Sequence, residues 1–411
     1  MCQPLFLPLQ RVAKIPRFGY RWCMAIRKRI LPSGKTAWLA EYKDGAGTRR
    51  FKQFARRTDA DTYLLSVRGD VRDGTHVAAR ASTTVAKAAE LWLKSCDARE
   101  LERASVREYK THVKKHIVPL IGASVLSKMT VASIRAFEDA ARESGCSAAM
   151  VKRLHVSLSS IFEDARERGL VAHNPVRDMR RKRGGKDAKV EKRQKRKLQI
   201  GVDIPTREEI KAIVGALEGR WRPLLLTAIF SGLRSSELRG LRWQDVDIGK
   251  REIHVRQRAD RWNDIGSPKS ETSERTVPLP PMVANTLRGW KLACPKGKLD
   301  LAFPNGEGNV ERLANIVQRG LCPAQVAAGV VVAGADGKPK AKYSGMHALR
   351  HFYASWCANR KEEGGLGLPM KTVQERLGHS TILITAGTYA HLFPRGDDAS
   401  ELDAGVAAIL G

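Results

Sequence analysis

Arginine, histidine and tyrosine residues recur at short spacings in the second half of this 411-residue chain. Arg234 lies in the run Gly-Leu-Arg-Ser-Ser-Glu-Leu, and both His347 and Arg350 lie in His-Ala-Leu-Arg-His. Further on, His379 lies in Leu-Gly-His-Ser and is followed by Tyr389. Guanidinium groups bind phosphate oxygens, imidazoles move protons, and a phenol can act as a nucleophile. These are the groups needed to cut a phosphodiester with a side chain instead of with metal-activated water, so we expect neither a metal nor another cofactor.

The two arginines suit the charge that develops when a phosphodiester is attacked at phosphorus. Each planar guanidinium can donate paired N–H groups to the non-bridging oxygens, and two of them, Arg234 and Arg350, would favour the pentacoordinate geometry. Glu237 follows Arg234 by one helical turn and therefore lies on the same face of a helix. We expect its carboxylate to orient the Arg234 guanidinium.

A tyrosine nucleophile requires help with its proton. A phenol of pKa about 10 is ionised to roughly one part in a thousand at neutral pH, and we expect His347 to act as its base. The leaving 5′ oxygen needs an acid, for which Lys269 on a predicted hairpin is the candidate, with Lys250 as the less favoured choice. We expect His379 to donate a hydrogen bond to a phosphate oxygen and His351 to support the site.

The composition indicates a polyanionic partner. The chain has 73 Lys and Arg against 43 Asp and Glu, a net charge of +30, which favours nucleic acid over a basic protein without such a partner. Its seven cysteines are scattered without a C-x-x-C pair, which argues against zinc and redox motifs and favours a reducing interior. No apolar run approaches the roughly 18–20 residues of a membrane span. We therefore expect a cytoplasmic protein.

The chain length predicts more than one domain. Hydrophobic periodicity, turn signals and charge runs divide the chain into six segments. We expect an N-terminal extension without stable structure (1–24), three strands and a helix (25–80), a helical domain (82–176), a basic linker (177–202), a second folded body (203–396) and a tail (397–411).

Basic residues in segments 25–80, 82–176 and 177–202 are candidate DNA contacts, because phosphate contacts dominate the affinity of DNA-binding proteins. They comprise Arg27, Lys28, Arg29, Arg49 and Arg50 on the strands, Lys114 and Lys115 on a helix, and Arg181, Lys182 and Arg183 in the linker.

Several local signals predict the elements that position the chemistry. In the helical domain, Pro119 and Gly122 are expected to break the second helix. In the second body, Thr206 to Glu209 has a capping-box pattern, and the wholly apolar run 223–230 predicts a buried helix. A helix is expected over 311–319, and the segment 326–339 is expected to be a hairpin or a loop before the histidine helix. The tail ends in an apolar run from Val406 that could dock on a neighbour.

The motifs taken together resemble the tyrosine recombinase (phage integrase) family. Those that carry the resemblance are G-L-R-x-x-E-L at Arg234, P-K-x-x-x-S-E-R-T-V-P-L at Lys269, H-A-L-R-H at His347, L-G-H-S at His379 and T-Y-x-H-L-F at Tyr389, in order within about 203–395. The resemblance implies a mainly α-helical fold with small β-sheets (α+β). In that fold a catalytic domain follows a helical core-binding bundle and a small three-stranded arm-type DNA-binding domain.

The resemblance also implies an activity. Tyr389 would be the nucleophile, with Arg234, His347, Arg350 and His379 forming the phosphate pocket and Lys269 transferring a proton. The implied product is a 3′-phosphotyrosyl intermediate with a free 5′ hydroxyl. The implied assembly is a homotetramer that exchanges strands between two double-stranded attachment sites, integrating or excising a mobile element, with DNA-bending or directionality factors as possible accessories.

Two other classes of protein use similar residues. A type IB topoisomerase-like enzyme shares the pocket but relaxes supercoils without a partner site, and the three-module layout and the L-G-H-S motif favour the recombinase. A DNA-binding protein on an inactive scaffold is disfavoured, because no residue of the pocket is missing from the sequence.

Overall fold

The computed structural model describes residues 24–44, 47–72, 83–179, 197–268, 271–334, 337–393 and 399–410. The chain forms two compact units, Met1–Arg183 and Gly184–Gly411. All but the last residue of the predicted N-terminal extension, most of the predicted linker and Lys269 lie outside the described residues. Among the helices in the described ranges, none combines the length and the apolar character needed to cross a bilayer.

The first unit begins with a three-stranded antiparallel sheet and one helix, as the turn signals and alternation predicted. They are β1 (Ala25–Ile30), β2 (Thr36–Lys43), β3 (Arg49–Phe54) and α1 (Arg57–Arg72), with the strands in the order β1-β2-β3. Trp38, Ala40 and Tyr42 alternate along β2 and pack against the apolar side of α1. This pairing leaves the opposite face of the sheet free of helix α1.

The rest of the first unit is helical. Its helices are α2 (Val85–Ala98), α3 (Arg103–His112), α4 (Val118–Ile121), α5 (Val131–Glu143), α6 (Ala148–Glu167) and α7 (Pro175–Asp178). Side chains of Thr84, Thr130 and Ser147 cap α2, α5 and α6 by accepting backbone N–H groups. Phe137 and Phe162 are buried in the core of this bundle.

The expected break at Pro119 is wrong. A π-helical stretch, Val113–Ile117, continues α3 directly into α4, and Pro119 lies in the first turn of α4. Proline has no N–H to donate, and Pro119 is accommodated here because α4 directly follows the π-helical stretch, which departs from the α-helical hydrogen-bond pattern. The helix therefore ends only after Ile121.

The second unit contains the remaining elements. Its helices are α8 (Arg207–Ala216), α9 (Trp221–Ser231), α10 (Ser235–Gly240), α11 (Pro281–Ala293), α12 (Leu313–Asn315), α13 (Cys322–Ala327), α14 (His347–Ala358), α15 (Met370–Leu377), α16 (Ile382–Tyr389) and α17 (Ala399–Leu410). Its strands are β4 (Val246–Asp247), β5 (Glu252–Val255), β6 (Arg258–Ala259), β7 (Ile265–Gly266), β8 (Arg275–Pro278), β9 (Val331–Ala333) and β10 (Pro339–Ala341). Strands β4, β5 and β8 form one antiparallel sheet, while β6 with β7 and β9 with β10 form two hairpins.

The capping box and the buried helix of this unit are confirmed. Thr206 accepts the backbone N–H of Glu209, whose carboxylate accepts the N–H of Thr206. Helix α9 is buried along most of its length and lies against α14 and α11 in the main core. It ends at Gly232, which has a φ of 63° and lies so close to the ring of Tyr353 that a Cβ atom there would clash.

The chain before α14 differs from the expectation of a single helix over 311–319. The helix begins at Leu313, passes through a π-helical stretch, Ile316–Leu321, and continues as α13 to Ala327. The following segment is a hairpin, one of the two forms expected for 326–339. Gln325 anchors it to the core by exchanging two hydrogen bonds with the backbone of Tyr343.

Candidate active site

Helix α10 brings Arg234 and Glu237 together at its N-terminus. Glu237 is only 3% exposed. Its carboxylate accepts the backbone N–H of Arg234 at 2.8 Å and the Nη1 of the same residue at 2.6 Å. The left-handed turn at Gly232 ends α9 and lets the chain reverse into this helix. The contact expected from the spacing of the two residues is therefore present.

Helix α14 places His347, Arg350 and His351 on one face, since they are three and four residues apart. The Arg350 guanidinium is almost wholly buried and donates to the carbonyls of Gly232 and Leu377, the latter at 2.6 Å. The imidazoles of His347 and His351 meet edge to face with their centroids 4.9 Å apart. One helix thus provides a fixed cation and two adjacent imidazoles.

The C-terminal end of α15 is the meeting point of three guanidiniums. Arg275 donates to the carbonyl of Arg376 at 2.7 Å, Arg350 donates to that of Leu377, and Arg234 donates to that of Gly378 at 2.9 Å. Carbonyls at the end of a helix lack intrahelical partners and carry partial negative charge, so they suit cations. His379 follows immediately, and its position is set by the same turn.

Arg275 is a residue of the site that the sequence reasoning missed. It lies at the start of β8, its side chain is 6% exposed, and its guanidinium donates to both oxygens of Glu237 at 2.8 and 3.2 Å. The sequence signal that could have identified Arg275 was the S-E-R-T-V-P-L motif. In this motif the arginine begins an alternating strand shortly after Lys269, the predicted acid.

Tyr389 ends α16 with its side chain 2% exposed. Its hydroxyl oxygen lies 2.7 Å from Nδ1 of His351. The rings of Tyr389 and His379 are nearly parallel, with centroids 6.3 Å apart, and Nδ1 of His379 lies 2.9 Å from the Thr385 hydroxyl. The sequence had suggested His347 as the base, whereas the imidazole next to the phenol is that of His351.

Burial and nearby positive charges both shift the pKa values of the titratable groups in the site. Burial raises the pKa of Tyr389 to about 12, although the charges of Arg350 and Arg234 oppose that shift. Burial, His347 and Arg350 lower the pKa of His351 to about 4, and burial with the nearby arginines lowers that of His379 to about 4. Both imidazoles are therefore neutral at pH 7 and able to accept a proton.

The same forces act on two charged groups of the site, Glu237 and Arg350. Burial opposes ionisation of Glu237, but the hydrogen bond and charge of Arg275, together with the charge of Arg234, outweigh it and hold the pKa of this carboxyl below its usual value. Burial and the proximity of Arg234 lower the pKa of Arg350 to about 10, so it stays charged at neutral pH. Two positive guanidiniums thus remain next to the phenol.

A cavity of about 510 Å³ joins these groups. Its lining comprises Arg234, Ser236, Glu237, Arg258, Pro268, Ser273, His347, Arg350, His351, Gly378, His379, Ser380, Ile384, Thr388 and Tyr389. Seven of the predicted site residues are in this set, and Pro268 brings the chain to the cavity one residue before Lys269. Within the described ranges, no group of His, Cys, Asp and Glu side chains is arranged to hold a metal ion.

The candidate DNA contacts on the first sheet divide between its two faces. Arg27 pairs across the strands with Leu39, Arg29 with Ala37, and Arg49 with Lys43, so these three arginines lie on the face away from α1. We call them the outer-face arginines. Two of them form ion pairs with Glu41.

The remaining candidates lie elsewhere. Lys28 pairs with Trp38 and Arg50 with Tyr42, which places both on the α1 side of the sheet. Lys114 and Lys115 are exposed on the π-helical stretch that follows α3. The linker residues Arg181, Lys182 and Arg183 lie outside the described residues.

Comparison with known proteins relates this chain to enzymes that act on DNA. Residues 205–395 match the model of the phage integrase family. The tyrosine recombinase XerC-like protein of Caldanaerobacter subterraneus subsp. tengcongensis is 28% identical over 404 residues, which cover 90% of this chain and 96% of the relative. The ICEBs1 integrase of Bacillus subtilis is 24% identical over 74% of this chain and 78% of its own length.

Solved structures share the fold at low sequence identity. The Tn1549 transposon integrase, in complex with transposon right end DNA, superposes with a TM-score of 0.58 at 17% identity over 80% of this chain and all of that one. A lambda integrase dimer bound to a COC′ core site gives a TM-score of 0.52 at 16% identity over 95% of this chain and 98% of that one. The α+β architecture expected from the motifs is therefore confirmed.

Proposed function

The chain belongs to the phage integrase family of tyrosine recombinases, and from this premise we propose that it breaks and rejoins DNA at specific sites through a covalent bond between Tyr389 and a 3′ phosphate. The observation that carries the proposal is the 2.7 Å approach of the Tyr389 hydroxyl to a neutral imidazole in a cavity lined by Arg234 and Arg350. These are a nucleophile, a proton acceptor and a phosphate clamp at one place.

In the proposed reaction the Tyr389 oxygen attacks phosphorus and its proton passes to an imidazole. The geometry favours His351 as the immediate acceptor, with His347 in edge contact behind it. Arg234 and Arg350 stabilise the charge on the non-bridging oxygens, and His379 donates a hydrogen bond to one of them. Lys269 donates a proton to the departing 5′ oxygen.

The step conserves the phosphodiester. One phosphorus–oxygen bond forms with the phenol while the bond to the 5′ oxygen breaks, so the product is again a diester and religation needs no external energy source. The 5′ hydroxyl of a partner strand can reverse the same step, which rejoins DNA in a new combination. Neither direction requires a metal in this scheme.

The partner of the proposed reaction is double-stranded DNA at two attachment sites. Relatives of this chain include integrases of an integrative element and of mycobacteriophages, which favours integration or excision of a mobile element. A lambda integrase tetramer has been solved on a Holliday junction, and we infer the same stoichiometry here. We place the activity in the bacterial cytoplasm, where that DNA is found.

The domain roles follow from the same proposal. The three-stranded sheet binds arm-type DNA through the outer-face arginines, and the helical bundle binds the core site with Lys114 and Lys115. Helix α17 leaves Val406, Ile409 and Leu410 exposed, which supports docking of this helix on a neighbouring protomer. Accessory DNA-bending or directionality factors remain part of the proposal for the intact reaction.

The test is covalent trapping on a nicked suicide duplex that carries the attachment site of the element. The wild-type chain should accumulate a denaturation-resistant protein–DNA adduct, and Tyr389→Phe should bind the duplex without forming it. Tyr353→Phe is the matched control, because Tyr353 is also a buried tyrosine of this unit but does not line the cavity. An adduct in the Tyr389→Phe variant would refute the assignment of the nucleophile, and its absence from the wild type would refute the function.

A further inference from the structure

We propose that Arg275 is a positioning residue of the cleavage pocket, which neutralises Glu237 so that the charge and orientation of Arg234 are available to the scissile phosphate. The inference rests on the proposed function, since it concerns the same pocket. Arg275 does not line the cavity, whereas Arg234 and Glu237 do. Its influence on the phosphate must therefore pass through its partners.

Arg275 is bonded to three different parts of the site. Its Nη1 and Nη2 donate to the two oxygens of Glu237, its Nε donates to the carbonyl of Arg376, and its Nη1 also donates to the carbonyl of Ser273 at 2.9 Å. One guanidinium thus connects α10, the end of α15 and the turn that precedes β8. A planar fork is suited to this task, and a lysine ammonium cannot reproduce its geometry.

Charge balance explains why a second arginine is needed next to Glu237. The carboxylate is 3% exposed and is shared between Arg234 and Arg275. With both cations present, the cluster keeps one net positive charge, which Arg234 can direct at a phosphate. Without Arg275 the carboxylate would pair with Arg234 alone, and the positive charge facing the phosphate would be cancelled.

The end of α15 also connects Arg275 to the two guanidiniums that line the cavity. The carbonyls of Arg376, Leu377 and Gly378 each accept a different guanidinium, so Arg275, Arg350 and Arg234 are ordered along one short stretch of backbone. Arg275 is the member of this row that does not line the cavity. Arg275 is therefore suited to fixing the position of this backbone stretch, and with it the positions of the Arg350 and Arg234 guanidiniums.

The guanidinium of Arg275 packs closely against Gly378 in the turn after α15. A Cβ atom at residue 378 would lie 2.8 Å from Nη1 of Arg275, and the residue has a φ of 62° that side chains rarely adopt. The turn therefore requires glycine both for its backbone conformation and for the approach of Arg275.

The experiment compares DNA affinity with the single-turnover rate of adduct formation on the suicide duplex. For Arg275→Gln we expect a loss of about 100-fold in cleavage rate, comparable with the removal of one donor to a developing oxyanion, with the dissociation constant for DNA changed by less than about twofold. Arg275→Lys should be intermediate, since it restores charge without the fork. Arg288→Gln, at an exposed arginine of α11, is the control and should match the wild type.

The double variant Arg275→Gln with Glu237→Gln separates positioning from simple destabilisation. It removes both charges of the buried pair, so Arg234 regains its free positive charge and the rate should recover about tenfold from that of Arg275→Gln. This variant also leaves no unpaired buried charge, so where Arg275→Gln alone fails to fold, cleavage by the double variant about tenfold slower than by the wild type still supports the proposal.

Three outcomes decide the matter. Cleavage by Arg275→Gln within about threefold of the wild type overturns the inference but leaves the proposed function intact. Equal losses of affinity and rate, unrelieved in the double variant, also overturn it by showing a purely structural role. Absence of an adduct from the wild type instead refutes the proposed function.

Discussion

Replacement of His351 tests which imidazole takes the proton of the nucleophile. His351→Phe removes the nitrogen that lies 2.7 Å from the Tyr389 hydroxyl. With the pKa of Tyr389 raised to about 12, only about one phenol in 100,000 is ionised at pH 7, and the shift of about two pKa units corresponds to about 2.7 kcal/mol. The phenol therefore depends on a local acceptor.

The expected loss follows from the usual contribution of a positioned base. We expect His351→Phe to form adduct about 10²- to 10⁴-fold more slowly than the wild type. His351→Asn is the matched variant, because its side-chain oxygen can accept a hydrogen bond near the position of Nδ1, and it should retain more activity. DNA binding should be unchanged in both, since no charge is lost at neutral pH.

The assay is single-turnover adduct formation at saturating protein between pH 5 and 8. Because the pKa of His351 is lowered to about 4, this imidazole stays neutral over the range, so its titration should produce no inflection near pH 6.5 in the wild-type rate. Cleavage by His351→Phe at the wild-type rate would refute the reasoning. A larger loss in His347→Phe than in His351→Phe would return the role of base to His347.

Three other predictions concern the acid, the DNA-binding sheet and acid stability. Lys269→Ala should be rescued by a 5′-bridging phosphorothiolate, whose leaving group needs no proton, and lack of rescue would exclude Lys269 as the acid. Replacing the outer-face arginines with alanine should reduce the slope of log affinity for arm-site DNA against log salt by about three, and an unchanged slope would show that this face does not contact DNA. His351 and His379 have folded pKa values of about 4, below the usual 6.5, so the unfolded chain binds protons first and stability should fall between pH 6.5 and 4, by at most about 3 kcal/mol for each imidazole. Thermal unfolding at pH 7 and 5 measures this, and equal stability at the two values would contradict it.

Much of the architecture was predictable because its signals are local. Hydrophobic periodicity and turn signals predicted the strands within 25–80, and the Thr206–Glu209 pair predicted where α8 begins. The helical spacing of Arg234 and Glu237 predicted their contact. In each case the residues that determine the geometry lie within a few positions of one another, so periodicity and capping rules apply directly.

Predictions from the sequence were wrong or incomplete where contacts between distant parts of the chain determine the structure. His347 and His351 lie on the same helical face, and only the placement of Tyr389 on another helix selects His351 as its neighbour. Arg275 resembles a surface arginine in sequence until the fold buries it against Glu237. Pro119 was misjudged because a proline rule for α-helix interiors does not anticipate a preceding π-helical stretch.

The row of carbonyls at residues 376–378 has a consequence for how the chain is made. Its three guanidiniums come from positions 234, 275 and 350, yet the acceptors are synthesised after all of them. A nascent chain that has not reached Gly378 lacks one backbone acceptor for each of the three guanidiniums. The cleavage pocket can therefore be completed only after this turn has been synthesised, and a protein cut short before it lacks backbone support for its three arginines as well as its nucleophile.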